Sequence, residues 1–163
     1  MKVLLKYSLI FTFCCTYFAA QAQTDEAAEA NTIDSLKTIL KTSKSDTNKL
    51  NILFSLMDKI SDENIWHTYN EERIKLAQKL VKNNNQQVKL KGKRSLAESL
   101  NFKGIINSDQ SRDSIALIYY YQSLKLWEEL GDLKNNALLL NNIGNIFYDR
   151  GDVAQAIDYL EKV

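Results

Sequence analysis

The sequence predicts an all-α protein built of antiparallel helical hairpins. Three observations lead there. Apolar residues recur at helical spacing from Ile33 onward, and no segment alternates in the manner of a strand. Proline is absent and glycine numbers only five in 163 residues, too few turn formers for a sandwich or barrel. The breaks between apolar stripes are clusters of helix-capping or left-handed-tolerant residues.

The first residues are a different material from the rest. Lys2 and Lys6 supply a positive start, residues 7–20 carry no charge, and Ala20-Gln21-Ala22 closes the run. That is the anatomy of a secretory signal peptide over residues 1–22, cleaved after Ala22. The apolar run is shorter than the ~20 residues a membrane-spanning helix needs. Both cysteines, Cys14 and Cys15, lie inside it, and Phe13 is not the small residue that lipid attachment requires before a cysteine. Cleavage leaves a chain without thiol chemistry, consistent with an oxidising compartment. The expectation is an exported protein, periplasmic or otherwise extracytoplasmic, with no membrane insertion once the signal is removed. Loss of Lys2 and Lys6 leaves 19 basic against 20 acidic side chains, a formal charge of −1. No electrostatic footprint for nucleic acid remains. Lys89, Lys91, Lys93 and Arg94 form the one basic cluster, expected to be a solvated helix start.

Residues 23 to about 31 are expected to be a flexible leader, followed by a short helix carrying Ile33, Leu36, Ile39 and Leu40, so that residues 23–45 precede the repeats. Leu50, Leu53, Phe54, Met57 and Ile60 give the next stripe, then Ile74, Ala77, Leu80 and Val81. Leu96, Leu100, Ile105 and Ile106 follow, and residues 115–126, 138–147 and 153–160 complete the series. Residues 61–64, 83–85, 108–113, 131–132 and 151–152 punctuate it.

Within this series the last unit, residues 137–163, has an internal logic. Gly144 and Ala156 are small where two helices would cross closely, and Leu140, Ile143, Phe147 and Leu160 surround that crossing. Gly151 can take positive φ to end the first helix, and Asp152 can cap the second with Gln155 completing a capping box. These residues resemble the tetratricopeptide repeat family. Forty residues earlier Leu100, Gly104, Ala116, Tyr120 and Ser123 stand in the same places, giving a second repeat over residues 97–130. There Lys103 and Asn107 replace large apolar residues and Ser111 replaces the turn glycine. A weaker unit is placed at residues 46–83, with Asp58 and Asn70 where small residues belong. The resemblance implies a right-handed α-solenoid over residues 46–163. The third repeat stops at Val163 before a capping helix, which leads to the expectation of a truncated repeat and of self-association through it.

Catalytic candidates are few. His67 is the one histidine and has no marked partner, one histidine with no cysteine will not build a zinc site, and the glycines are singletons rather than a phosphate-binding loop. Glu71-Glu72 and Glu128-Glu129 read as solvated faces, and the run from Tyr119 to Tyr121 as packing. No catalytic residue, cofactor or metal is expected. What remains is a surface. The resemblance implies a groove lined by the first helix of each repeat, where a protein or peptide partner binds, with Asn101, Ser108, Asn141, Asn145 and Tyr148 facing it. Asparagine can both donate to and accept from an extended backbone; the competing expectation is that these asparagines bond between neighbouring repeats. The lysines and arginines of the family's carboxylate-clamping members are expected to be missing from this groove. The overall expectation is an exported scaffold without catalysis of its own. The alternative is the sensor region of a bacterial membrane signalling enzyme, such as a kinase or cyclase, whose output domain lies beyond residue 163.

Overall fold

The computed structural model describes residue 28 and residues 30–162, in two units that divide after Thr42. The expected signal peptide, its cleavage site, both cysteines and Val163 lie outside the described residues. In the first unit, residues 30–42 are helical (α1), and Thr32, Ser35, Thr38 and Thr42 each donate a hydroxyl to the carbonyl four residues back.

The second unit is a row of helices: α2 (Asp46–Lys59), α3 (Glu63–Val81), α4 (Gln86–Asp109), α5 (Asp113–Leu130), α6 (Leu133–Asp149) and α7 (Val153–Leu160). Chain neighbours pack on one another throughout, and α2 also touches α4. The described residues contain no strand. The fold is an all-α helical repeat solenoid.

Capping side chains start most of the helices. Ser45, Asp62, Asn85, Asp132 and Asp152 each accept a backbone N–H from the first turn that follows. Three junctions end alike. Ser111, Gly131 and Gly151 take φ of +57°, +67° and +79°, while the amides of Arg112, Asp132 and Asp152 reach back to the carbonyls of Asn107, Trp127 and Phe147. Ser111 therefore does the work of the glycine it replaces, in a conformation that disfavours a side chain. The capping box expected at Asp152 takes another form. Its amide is occupied by Phe147, so the Gln155 side chain donates to the Asp152 carboxylate at 2.7 Å instead.

Two apolar clusters hold the unit together. One joins Ala97, Ala116, Tyr120, Trp127, Leu139, Ile143 and Ile146 across α4, α5 and α6. The other joins Leu50, Ala77 and Leu80, with Val88 and Leu96 of α4 against it. Between them α3 meets α4 along a polar seam. Asn70, buried, donates to the Ser99 carbonyl at 3.2 Å, and Arg73 crosses beside it. Gly92 lets the two backbones approach, since a Cβ there would lie 2.8 Å from the Val81 amide nitrogen.

The first hairpin differs from expectation. Asp58 is exposed rather than at a crossing, Asn70 packs on α4, and Phe54 is 42% exposed. Helix α4 also begins at Gln86, well before the expected repeat start, because Asn85 caps it and the segment 88–96 packs on α3.

Candidate partner groove

The residues expected at the hairpin crossings gather at two places. On α4 and α5, Gly104 lies directly under the Tyr120 ring, and Leu100 and Ala116 are buried beside it. On α6 and α7, Ile143, Gly144 and Ala156 are buried while Leu140 and Phe147 are half-buried. Leu160 is 42% exposed, yet its branch carbon would stand 3.1 Å from a Cβ on Gly144. Tyr159 stacks flat on Phe147 at 5.4 Å, and its hydroxyl meets that of Tyr121 at 2.7 Å.

Helices α2 and α4 leave a cavity of about 790 Å³ between them, with Leu130 at the end of α5 on its margin. Asn51 and Phe54 line it from α2, and Lys91, Arg94, Ser95 and Glu98 from α4. Arg73 reaches it from α3 and is 3% exposed. Its guanidinium donates to the Leu50 carbonyl at 3.4 Å, the Ser95 carbonyl at 3.1 Å and the Ser99 hydroxyl at 2.8 Å, and forms an ion pair with Glu98. The Phe54 ring covers it, 5.1 Å from ring centre to guanidinium carbon. One buried cation thus ties α2, α3 and α4 together, with its charge answered by Glu98. Phe54 continues into an aromatic cluster: Phe102 lies 6.4 Å away, with Trp66 edge-on to Phe102 at 5.6 Å.

Of the residues expected to face a partner, Asn141 and Asn145 are exposed and Tyr148 is 65% exposed. Asn101 is half-buried and accepts from the Asn142 side chain at 3.4 Å, joining α4 to α6 across the groove face. For Asn101 the inter-repeat bond is therefore the one that forms. Ser108 is half-buried.

The expectation that basic residues are missing from the groove does not survive. Lys91, half-buried, and Arg94, exposed, line it near the start of α4. The signal was present in the spacing. Gln87, Lys91, Arg94, Glu98 and Asn101 stand four, three, four and three apart, which places them on one face of α4. Other cations near this helix are committed. Lys93 donates to Glu129 at 2.6 Å, which holds that carboxyl below its ordinary range. For Lys103, burial pulls the ammonium down, but its bonds to Glu71 and Tyr119 outweigh this and raise it above the usual lysine value. Burial, with the Asp109 charge behind it, pushes the Tyr120 phenol up to about 12. Tyr121 is likewise raised, by burial and by Tyr159.

His67 sits beside Trp66, 3.5 Å from Glu63 on the same helix. Among the described residues no cluster of histidine, cysteine and carboxylates is arranged to hold a metal, and no helix is long and apolar enough to cross a membrane. The arrangement offers a surface with polar and cationic groups, and a geometry for binding. Residues 93–163 match the family model described as Tetratricopeptide repeat. Comparison with curated proteins and with solved structures finds no match.

Proposed function

We propose, from the match of residues 93–163 to the tetratricopeptide repeat model, that the protein is an exported scaffold of that kind, holding an extended peptide in the groove along α2, α4 and α6. Repeats of this family generally mediate protein–protein contacts and are typically non-catalytic. The observation that carries the reading is the cavity between α2 and α4, continued toward α6 by the Asn101–Asn142 bond. Side chains that both donate and accept line this path, and Asn141, Asn145 and Tyr148 extend it into solvent. Such groups satisfy a peptide backbone without the desolvation cost of a charge.

Export rests on residues 1–22, and its check is the N-terminus of secreted material, expected to be Gln23. The exposed Val153, Ile157 and Leu160 on α7 support a second contact, between copies of the chain.

The groove is tested by selecting peptides from a random display library on the full chain. A photo-crosslinking side chain placed at Asn51 or Asn145 is expected to capture the selected peptides, and one at Lys75 on α3 is not. Capture from Lys75 alone would put the binding surface elsewhere.

A further inference from the structure

Two phenols from different hairpins meet at the surface of the solenoid unit. Tyr121 of α5 and Tyr159 of α7 bring their hydroxyl oxygens to 2.7 Å, with ring centres 6.4 Å apart and ring planes at 49°. Among the described residues they are the one pair of tyrosines whose rings lie together. Neighbours hold the arrangement. Phe147 stacks on the Tyr159 ring at 5.4 Å with the planes 2° apart, and the Lys162 ammonium lies over that ring at 4.7 Å. Tyr121 is 40% exposed and Tyr159 half-buried, so solvent reaches the pair. Burial, with the Tyr159 hydroxyl adding to it, raises the Tyr121 phenol above its ordinary value and keeps its proton on at neutral pH. Competing sinks for oxidation are few. The described residues hold no cysteine, Met57 is their one methionine and is buried, Trp127 is 2% exposed, and Trp66 packs edge-on to Phe102.

We propose that Tyr121 and Tyr159 form an oxidative cross-linking site, at which hydrogen peroxide acting through a haem peroxidase joins the two rings as a dityrosine within one chain. The peroxidase removes one electron from each phenol, and each phenolic proton goes to water. The two phenoxyl radicals pair their electrons in a single bond between the ring carbons that flank the oxygens. The hydrogen on each of those carbons then moves to its oxygen, which restores both phenols. Two hydrogens leave the protein, and one hydrogen peroxide becomes two waters. Because the oxygens already touch, the coupling carbons beside them stand within a small ring rotation of one another, and the reaction needs no diffusion of chain segments. The bond joins positions 38 apart, so it restricts the unfolded chain and holds the eight-residue α7 on α5. The site depends on neither the groove nor export, only on a peroxide and its peroxidase.

The experiment treats the full chain with hydrogen peroxide and a haem peroxidase, dilute enough that separate chains seldom meet. The product is expected to run as a single chain on a denaturing gel and to show the blue fluorescence of dityrosine. Tryptic mapping is expected to find residues 113–125 joined to residues 151–162, two hydrogens lighter than the separate peptides. Unfolding the chain in urea before oxidation should remove this product, since the fold and not the sequence brings the rings together. Tyr121→Phe and Tyr159→Phe should each lose it with circular dichroism unchanged. Tyr148→Phe should keep it, although Tyr148 is 65% exposed and the easier target by access alone. Should a phenylalanine variant fail to fold, the peptide map of the parent decides by itself. Three results would overturn the proposal: hydroxylated tyrosines with no ring-to-ring bond, cross-links between chains or through Tyr148 in place of the joined peptides, and an undiminished product from folded Tyr121→Phe.

Discussion

At Gly104 a single missing methyl group decides whether α4 and α5 can meet. The Tyr120 ring occupies the space a Cβ would need, and the ring is pinned by burial. At Gly92 the obstacle is the backbone of α3, which cannot step aside as a side chain can. Gly144 differs, because its neighbour is the end of a partly exposed Leu160. Alanine at Gly92 or Gly104 is therefore expected to cost about 1–3 kcal/mol despite its better helix propensity, whereas Gly144→Ala stays within about 1 kcal/mol of the parent. Urea denaturation of the three variants measures this; equal losses at all three would show the crossings to be alike. Tyr120 carries a second consequence. Its folded-state phenol ionises at about 12, above the ordinary tyrosine value of 10, so the unfolded chain releases that proton first as pH rises. The contribution is fully present below pH 10 and is lost between 10 and about 12. Thermal melts across that window should show a steeper decline for the parent than for Tyr120→Phe.

Helices α3 and α4 are joined by polarity, and Arg73 is the centre of that joint. Removing it empties space under Phe54 and strips Glu98 and Ser99 of their partner. Arg73→Ala is expected to cost about 3 kcal/mol, while Arg73→Met with Glu98→Gln recovers most of it by refilling the volume without a lone charge. Chemical denaturation of the two variants decides whether shape or charge matters more. This element also marks where sequence stops being legible. The crossings at Gly104 and Gly144 could be read because small and large residues recur at fixed local spacing. Arg73 follows Glu71 and Glu72, so by pattern it sits on a solvated charged stripe, and only the approach of α4 from another hairpin buries it. Lys91 and Arg94 share one face of α4 by their spacing, but that this face lines a cavity depends on α2 lying opposite. Asn101 was legible in its position but not in its partner, since Asn142 lies on another helix.

At the scale of the whole solenoid unit, stability is the sum of hairpins and the interfaces between them. The face of α7 carries Val153 and Ile157, each about half exposed, on a helix of only eight residues. Apolar side chains gathered this way favour contact between copies. Sedimentation velocity is expected to show concentration-dependent association that Val153→Glu with Ile157→Glu abolishes; a monomer at every concentration for the parent would refute it. The seam of Asn70, Arg73, Ser95 and Ser99 has a different bearing on this unit. It lies between one apolar cluster and the other, and the Asn70 side-chain oxygen Oδ1 finds no hydrogen-bond partner among the described residues. Parting the chain there breaks the polar seam and the apolar contacts of Val88 and Leu96, and leaves the larger cluster of α4, α5 and α6 whole. Amide protons of α2 and α3 should therefore trade with deuterated solvent through a partial opening that leaves α4, α5 and α6 shut, making this unit two cooperative blocks in time although its helices form one row in space.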